Sequence, residues 1–169
     1  EHFEEMVIIR RYLHEYPELS HEEVHTPAYI ATFHRELGLE VREQVGGRGV
    51  VATLHGGRPG KTVALRADFD GLAIQELNEV PYKSKNDGVM HACGHDGHTA
   101  TLLVLAKVLA GMRDRIEGTI VFIHQHAEEL APGGAKAMIA DGCLDGVDVI
   151  FGTHLWAPTP LGQVLVRDG

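Results

Sequence analysis

The sequence predicts an α/β fold with a mainly parallel central sheet and helices on both faces. Apolar, strand-like runs occur at Thr62-Val63-Ala64-Leu65, Thr119-Ile120-Val121-Phe122-Ile123 and Val147-Asp148-Val149-Ile150-Phe151. Helical patterns separate them, over residues 96–110 and 134–141. The order strand, helix, strand, helix, strand implies right-handed crossovers and hence a parallel core.

Residues 3–14 place Phe3, Met6, Val7, Ile9, Tyr12 and Leu13 at helical spacing, and Pro17 closes the segment. Ser20 followed by Glu23 has the form of a capping box, so a second helix is expected to open there and end at Gly38. Both helices are expected to pack on the sheet. Residues 39–45 and 49–54 alternate as strands around a Gly46-Gly47 turn, and Thr62–Leu65 follows the loop Gly56-Gly57-Arg58-Pro59-Gly60. A long polar connection then runs from Phe69 to His95, and loops of that length are usually functional or disordered. The helix after it is apolar almost all round (Leu102, Leu103, Val104, Leu105, Val108, Leu109), as a buried helix should be.

With 169 residues and 44% hydrophobic content, one domain with a real core is expected. The chain opens on Glu1 and stops at Gly169 just after a strand-like run, compatible with a segment of something longer. Its 15 basic residues, against 24 acidic ones, are scattered rather than gathered into a stripe, which argues against a nucleic-acid surface. Lys107 interrupts the longest apolar run and no charged-then-apolar signal segment precedes Phe3, so no membrane association and a cytoplasmic location are expected. Two cysteines are too few for a disulfide framework. Of the 12 histidines, His2, His14, His21, His25, His34 and His55 fall in polar or helix-surface contexts and are expected to be solvated.

The run His91-Ala92-Cys93-Gly94-His95-Asp96-Gly97-His98-Thr99 carries the chemistry. Three imidazoles, a thiol and a carboxylate precede an apolar helix, a grouping that suits a metal site or a nucleophilic site. Gly94 lets the backbone fold so that Cys93 and His95 reach a common point. Glu128-Glu129 and His154 each lie just beyond an apolar strand, where ligands of open α/β sheets bind. Thiolate, imidazole and carboxylate together suit zinc, and also manganese, cobalt or nickel. Neighbouring side chains diverge on an extended or turn backbone, so one glutamate can bind metal while the other faces a bound water as general base. Asp68 and Asp70 could orient a ligand or base, and Arg66 could hold a substrate carboxylate or pair with Asp68. Cys143 is expected to be a packing residue, and Trp156 to line a pocket or cap the core.

The chain resembles the N-acyl-amino-acid amidohydrolases, the branch of the aminoacylase and carboxypeptidase metallohydrolases that includes hippurate hydrolase and the plant indole-acetyl-amino-acid hydrolases. Matching segments are Leu13-His14, Pro17-Glu18-Leu19-Ser20, Arg66-Ala67-Asp68-Phe69-Asp70, Met90 to Asp96, Ala127-Glu128-Glu129 and Gly152-Thr153-His154. The resemblance implies a zinc-exopeptidase-like catalytic domain in which Cys93, His95, Glu129 and His154 are metal ligands, Glu128 is the catalytic base and Asp68 a site residue. Arg66 stands where other branches carry a metal-binding His, and His126 and Leu130-Ala131-Pro132 depart from the usual pattern.

The resemblance also implies that residues 1–169 are the N-terminal part of the catalytic domain. The remainder, with a last His ligand and an inserted dimerisation or lid domain, would lie beyond Gly169. The expected activity is divalent-metal-dependent cleavage of the amide bond of N-acyl amino acids or related small amides, using one or two ions of Zn, Mn, Co or Ni. A homo-oligomer is expected at full length. Two alternatives stand beside it: a cysteine hydrolase with Cys93 as nucleophile and His95 or His98 as base, and a non-catalytic metal-binding fragment.

Overall fold

The structure is a computed structural model that describes residues 2–166. Helices α1 (His2–Glu15) and α2 (His25–Glu36) precede strands β1 (Glu40–Val45), β2 (Gly49–His55) and β3 (Arg58–Asp68). Helix α3 (His95–Ala110), strand β4 (Glu117–Gln125), helix α4 (Ala135–Ala140) and strand β5 (Val149–Gly152) follow. The sheet has the order β1-β2-β4-β3-β5. β3 pairs in parallel with β4 and β5, whereas β2 is antiparallel to both its neighbours. Four strands therefore share one direction and only β2 is reversed, as a mainly parallel sheet requires.

On one face, Ile9 and Leu13 of α1, Ile30 and Ala31 of α2, and Ala100, Leu103 and Val104 of α3 form a single core with Val50 and Phe69. Ala52, Leu54, Ala67 and Phe122 extend it along the sheet beneath α3. On the other face Met138 of α4 and Cys143 cover Val51, Ala64, Val121 and Ile123. Cys143 is thus a packing residue. Strand residues alternate between the two cores, the period of two that the pleat imposes. Deleting a side chain such as Leu103 would cost about 2–5 kcal/mol in transfer and cavity terms.

β3 is longer than Thr62–Leu65. The loop expected over residues 56–60 shrinks to Gly56-Gly57 because Arg58 already pairs with Glu117, across a register irregularity. Gly118 permits this approach: its φ is 93°, and a Cβ there would meet the Lys61 carbonyl oxygen at 2.0 Å. β5 lies at the sheet edge with Val149, Ile150 and Phe151 exposed.

The capping-box expectation is corrected. α2 starts at His25, and the N–H groups of Val24, His25 and Thr26 donate to the Glu18 carboxylate at 3.0, 2.9 and 2.8 Å. Glu18 thereby satisfies the donors that a helix start leaves free, while Ser20 and Glu23 are buried and turned toward the end of the sheet. Two of the histidines expected to be solvated are also corrected. His14 and His34 are buried, whereas His2, His25 and His55 are exposed. Both buried rings have partners that sequence distance conceals. His34 Nε2 sits 2.9 Å from His124 Nε2, 90 positions away, and His34 stacks on Phe122. Burial lowers the His34 pKa to about 4 and that of His124 well below its ordinary value.

The connection from Phe69 to His95 contains no helix; it is held by isolated bridges Leu19–Gly71 and Leu72–Met90. Glu76 anchors its middle, accepting from the Ser84 N–H at 2.6 Å and from Asn78 Nδ2 at 3.1 Å. Among the described residues no helix is long and apolar enough to cross a membrane.

Candidate metal centre

Parallel strands deliver their carboxyl ends to one edge, and a crossover helix begins there. β3 therefore leads to Asp68 and Asp70, β4 to Glu128 and Glu129, β5 to His154, and the first turn of α3 holds His95 and His98. Gly94, with φ 106°, makes the bend between Cys93 and His95. The expected residues meet there. Cys93, His95 and His154 offer ligand atoms within 4.8 Å of one another, as do His95, Glu128 and Glu129. Cys93 Sγ lies 3.5 Å from His154 Nε2.

His95 is the common member and is fully buried. Its Nδ1 faces two acceptors, the Asp70 backbone carbonyl at 3.0 Å and Asp70 Oδ1 at 3.1 Å, so the ring proton belongs on Nδ1 and the Nε2 lone pair is free. Nε2 is 3.6 Å from Glu129 Oε1 and 3.8 Å from Glu128 Oε2. Neither His95 Nε2 nor Glu129 Oε1 has a hydrogen-bond partner, although both are buried. Orphaned buried polar atoms are costly. Two ligands each about 2.1 Å from one ion stand roughly 3–3.5 Å apart, close to the separation here. The residues fit a divalent cation.

Around these atoms, further hydrogen bonds fix the geometry. Asp68 pairs with Arg66 at 2.6 Å and accepts from His98 Nδ1 at 2.7 Å. Arg66 also donates to Gln125 through Nε and Nη2, and of the two roles open to it the structure displays the ion pair. His98 Nε2 accepts the Leu155 N–H at 2.8 Å, so both of its nitrogens are committed. Asp70 accepts from the Ser20 hydroxyl at 2.7 Å and from the Glu129 N–H at 3.0 Å. Trp156 is 63% exposed, 6.1 Å ring to ring from His154, and caps no core.

Four carboxylates against one guanidinium make the site negative. Burial, with Glu129, Asp68 and Glu128 beside it, pushes the Cys93 thiol up to about 12. Burial disfavours a charged His95, yet Asp70, Asp68 and Glu129 outweigh it and raise the pKa. Asp70 is held well below the usual carboxylate range despite its burial, by His95, the Glu129 N–H and Ser20. Such a site attracts positive charge. Sequence reasoning overlooked Ser20 and Glu23 here, because their spacing also satisfies a local capping pattern. It also overlooked the cluster of Arg10, His14, Glu76 and Asp96 behind His95, for which no short-range signal exists.

A model of peptidase family M20/M25/M40 matches residues 64–168. The chain belongs to this family. The M20/M25/M40 chain is 64% identical over 167 residues to YhaA of Bacillus subtilis, covering 99% of this chain and 42% of that protein. It is 49% identical over 160 residues to the N-acyl-L-amino acid amidohydrolase of Geobacillus stearothermophilus, covering 95% and 43%. Among solved structures, the YXEP protein of Bacillus subtilis, a dinuclear metal binding peptidase from the M20 family, superposes with a TM-score of 0.92 at 42% identity. That match covers 99% of this chain and 46% of YXEP. The M20/M25/M40 chain thus spans less than half the length of these relatives, and it shares the α/β architecture of the family's solved members.

Proposed function

We propose that this chain carries the metal ligands and the base of a hydrolase that cleaves the amide bond of N-acyl amino acids or related small amides. One observation carries the proposal: two buried donor atoms without partners, His95 Nε2 and Glu129 Oε1, lie 3.6 Å apart beside Cys93 and His154. Cys93, His95, Glu129 and His154 would hold one or two divalent ions, Zn, Mn, Co or Ni. A cation held there would supply polarisation of the substrate carbonyl and acidification of water.

Glu128, the more exposed glutamate with its side chain 41% accessible, takes the water's proton and returns it to the leaving amine. Asp70 keeps His95 in the tautomer that presents Nε2. Asp68 holds His98, and His98 holds the backbone beside His154. The relatives named as amidohydrolase and dinuclear metal binding peptidase support this chemistry. A nucleophilic Cys93 finds less support, since reactive thiols sit in electropositive surroundings and this one faces carboxylates. We take residues 1–169 as the N-terminal part of the catalytic domain of a cytoplasmic homo-oligomer.

The decisive experiment uses the protein at its native length. Glu128→Gln should retain its metal, measured by elemental analysis, and lose about 10²–10⁴-fold in turnover of N-acyl amino acids. Dipicolinate should abolish wild-type activity and Zn or Mn restore it. Wild-type rates from Glu128→Gln, or activity insensitive to chelation but lost to iodoacetamide, would refute the proposal.

A further inference from the structure

Glu23 has no part in the chemistry just described, yet it is wholly buried at the edge of the site. Its Oε1 accepts the Ala127 N–H at 2.8 Å, 104 positions away. Its Oε2 is buried without a hydrogen-bond partner, and Arg48 Nε stands 3.9 Å off. Arg48 spends a guanidinium N–H on the Glu23 backbone carbonyl. A carboxylate buried in this way is a poor source of stability.

What Glu23 holds is unusual. Ala127 is fully buried and has φ 48°, a left-handed conformation that a residue with a Cβ adopts only when its surroundings impose it. Its carbonyl is also taken, by the Gly134 N–H at 3.1 Å. One residue on, the chain reaches Glu128. One further, the Glu129 N–H rests on Asp70 Oδ2, the oxygen that also accepts from Ser20. Residue 128 is therefore bracketed by two backbone N–H groups, each pinned by a buried carboxylate. Both pins depend on the segment 20–23, Glu23 directly and Ser20 through Asp70.

We propose that Glu23 is a positioning residue: by holding the Ala127 N–H it fixes the left-handed turn that aims the Glu128 carboxylate. This rests on the assignment of Glu128 as base. Removing Glu23 leaves the N–H groups of Glu128 and Glu129 on Asp70 but releases the left-handed turn at Ala127, so metal binding should survive while the base loses its aim. A misplacement of about 1 Å can cost on the order of 10²-fold in rate.

The test compares Glu23→Ala, Glu23→Gln and Glu128→Gln in the native-length enzyme, reading kcat, KM and metal stoichiometry. Glu23→Ala should lose roughly 30- to 100-fold in kcat, with KM and metal content within about two-fold of wild type. Glu23→Gln, whose amide oxygen can still accept the Ala127 N–H, should return kcat to within about three-fold. If circular dichroism shows that Glu23→Ala does not fold, Glu23→Asp is read in its place with the same expected loss, because it keeps the charge and withdraws the oxygen by one methylene.

Wild-type kcat in the shortened variant, equal impairment in Glu23→Gln, or metal lost in step with kcat would each overturn the proposal. An active Glu128→Gln would instead overturn the base assignment beneath it. The two failures are thereby distinguished.

Discussion

His14 Nδ1 lies 2.7 Å from Asp96 Oδ2, joining the first helix to the residue that follows His95. Arg10 Nε reaches the same carboxylate oxygen at 2.8 Å, and His14 Nε2 meets Glu76 at 3.2 Å. Helix α1, the long connection and the first turn of α3 thus share one buried charge cluster behind the candidate metal centre.

Breaking this cluster should be expensive and pH-dependent. His14→Leu should destabilise by about 1–3 kcal/mol, the cost of leaving buried acceptors short of one donor, since Arg10 still pairs with Asp96 and Ser84 and Asn78 still serve Glu76. The bond to Asp96 raises the His14 pKa, burial opposes it, and Glu76 adds to the rise. A histidine whose folded pKa exceeds its unfolded value of about 6.5 stabilises fully below that value and loses the contribution as pH rises through the folded value. The difference in Tm between wild type and His14→Leu should therefore narrow from pH 6 to pH 9. A difference that widens over this range would contradict the assignment.

His98 offers a second measurement. It spans from Asp68 Oδ1 to the Leu155 N–H, so its removal should free the backbone next to His154 without deleting a proposed ligand. His98→Ala should weaken metal binding about 10- to 100-fold, as loss of a ligand's supporting partner commonly does. Competition against a chelator measures this directly. Unchanged affinity would show that His154 is held by other means.

The buried His34–His124 pair predicts acid sensitivity. At neutral pH one imidazole donates to the other and neither is charged. The unfolded chain takes up protons near pH 6.5, whereas His34 resists until about 4, so stability falls as pH drops between those values. Replacing both rings by Leu should change stability little at pH 7, since neither polar partner is then left alone. At pH 5 the double variant should exceed wild type by on the order of 2 kcal/mol in denaturant unfolding. Parallel acid profiles for the two proteins would rule the pair out as the cause.

The parts legible in the sequence were those with a local period or a positional rule. The apolar runs around Val121 and Ile150 marked strands, and the position of Glu128, Glu129 and His154 just past such runs placed them at one edge. What lay hidden depends on contacts between distant segments. Nothing near His14 or His34 in the chain announces a partner 82 or 90 positions away. Ser20 and Glu23 misled because a helix start and a buried acceptor draw on the same residue types, and only the fold reveals that Glu18 has taken the capping task.

β5 carries a consequence for handling the polypeptide. Its outer backbone faces no neighbour among the described residues, and Val149, Ile150 and Phe151 stand exposed along it. An uncovered, apolar edge strand can template intermolecular strand addition. Preparations limited to these 169 residues should self-associate with rising concentration, and Ile150→Lys should delay the onset of turbidity.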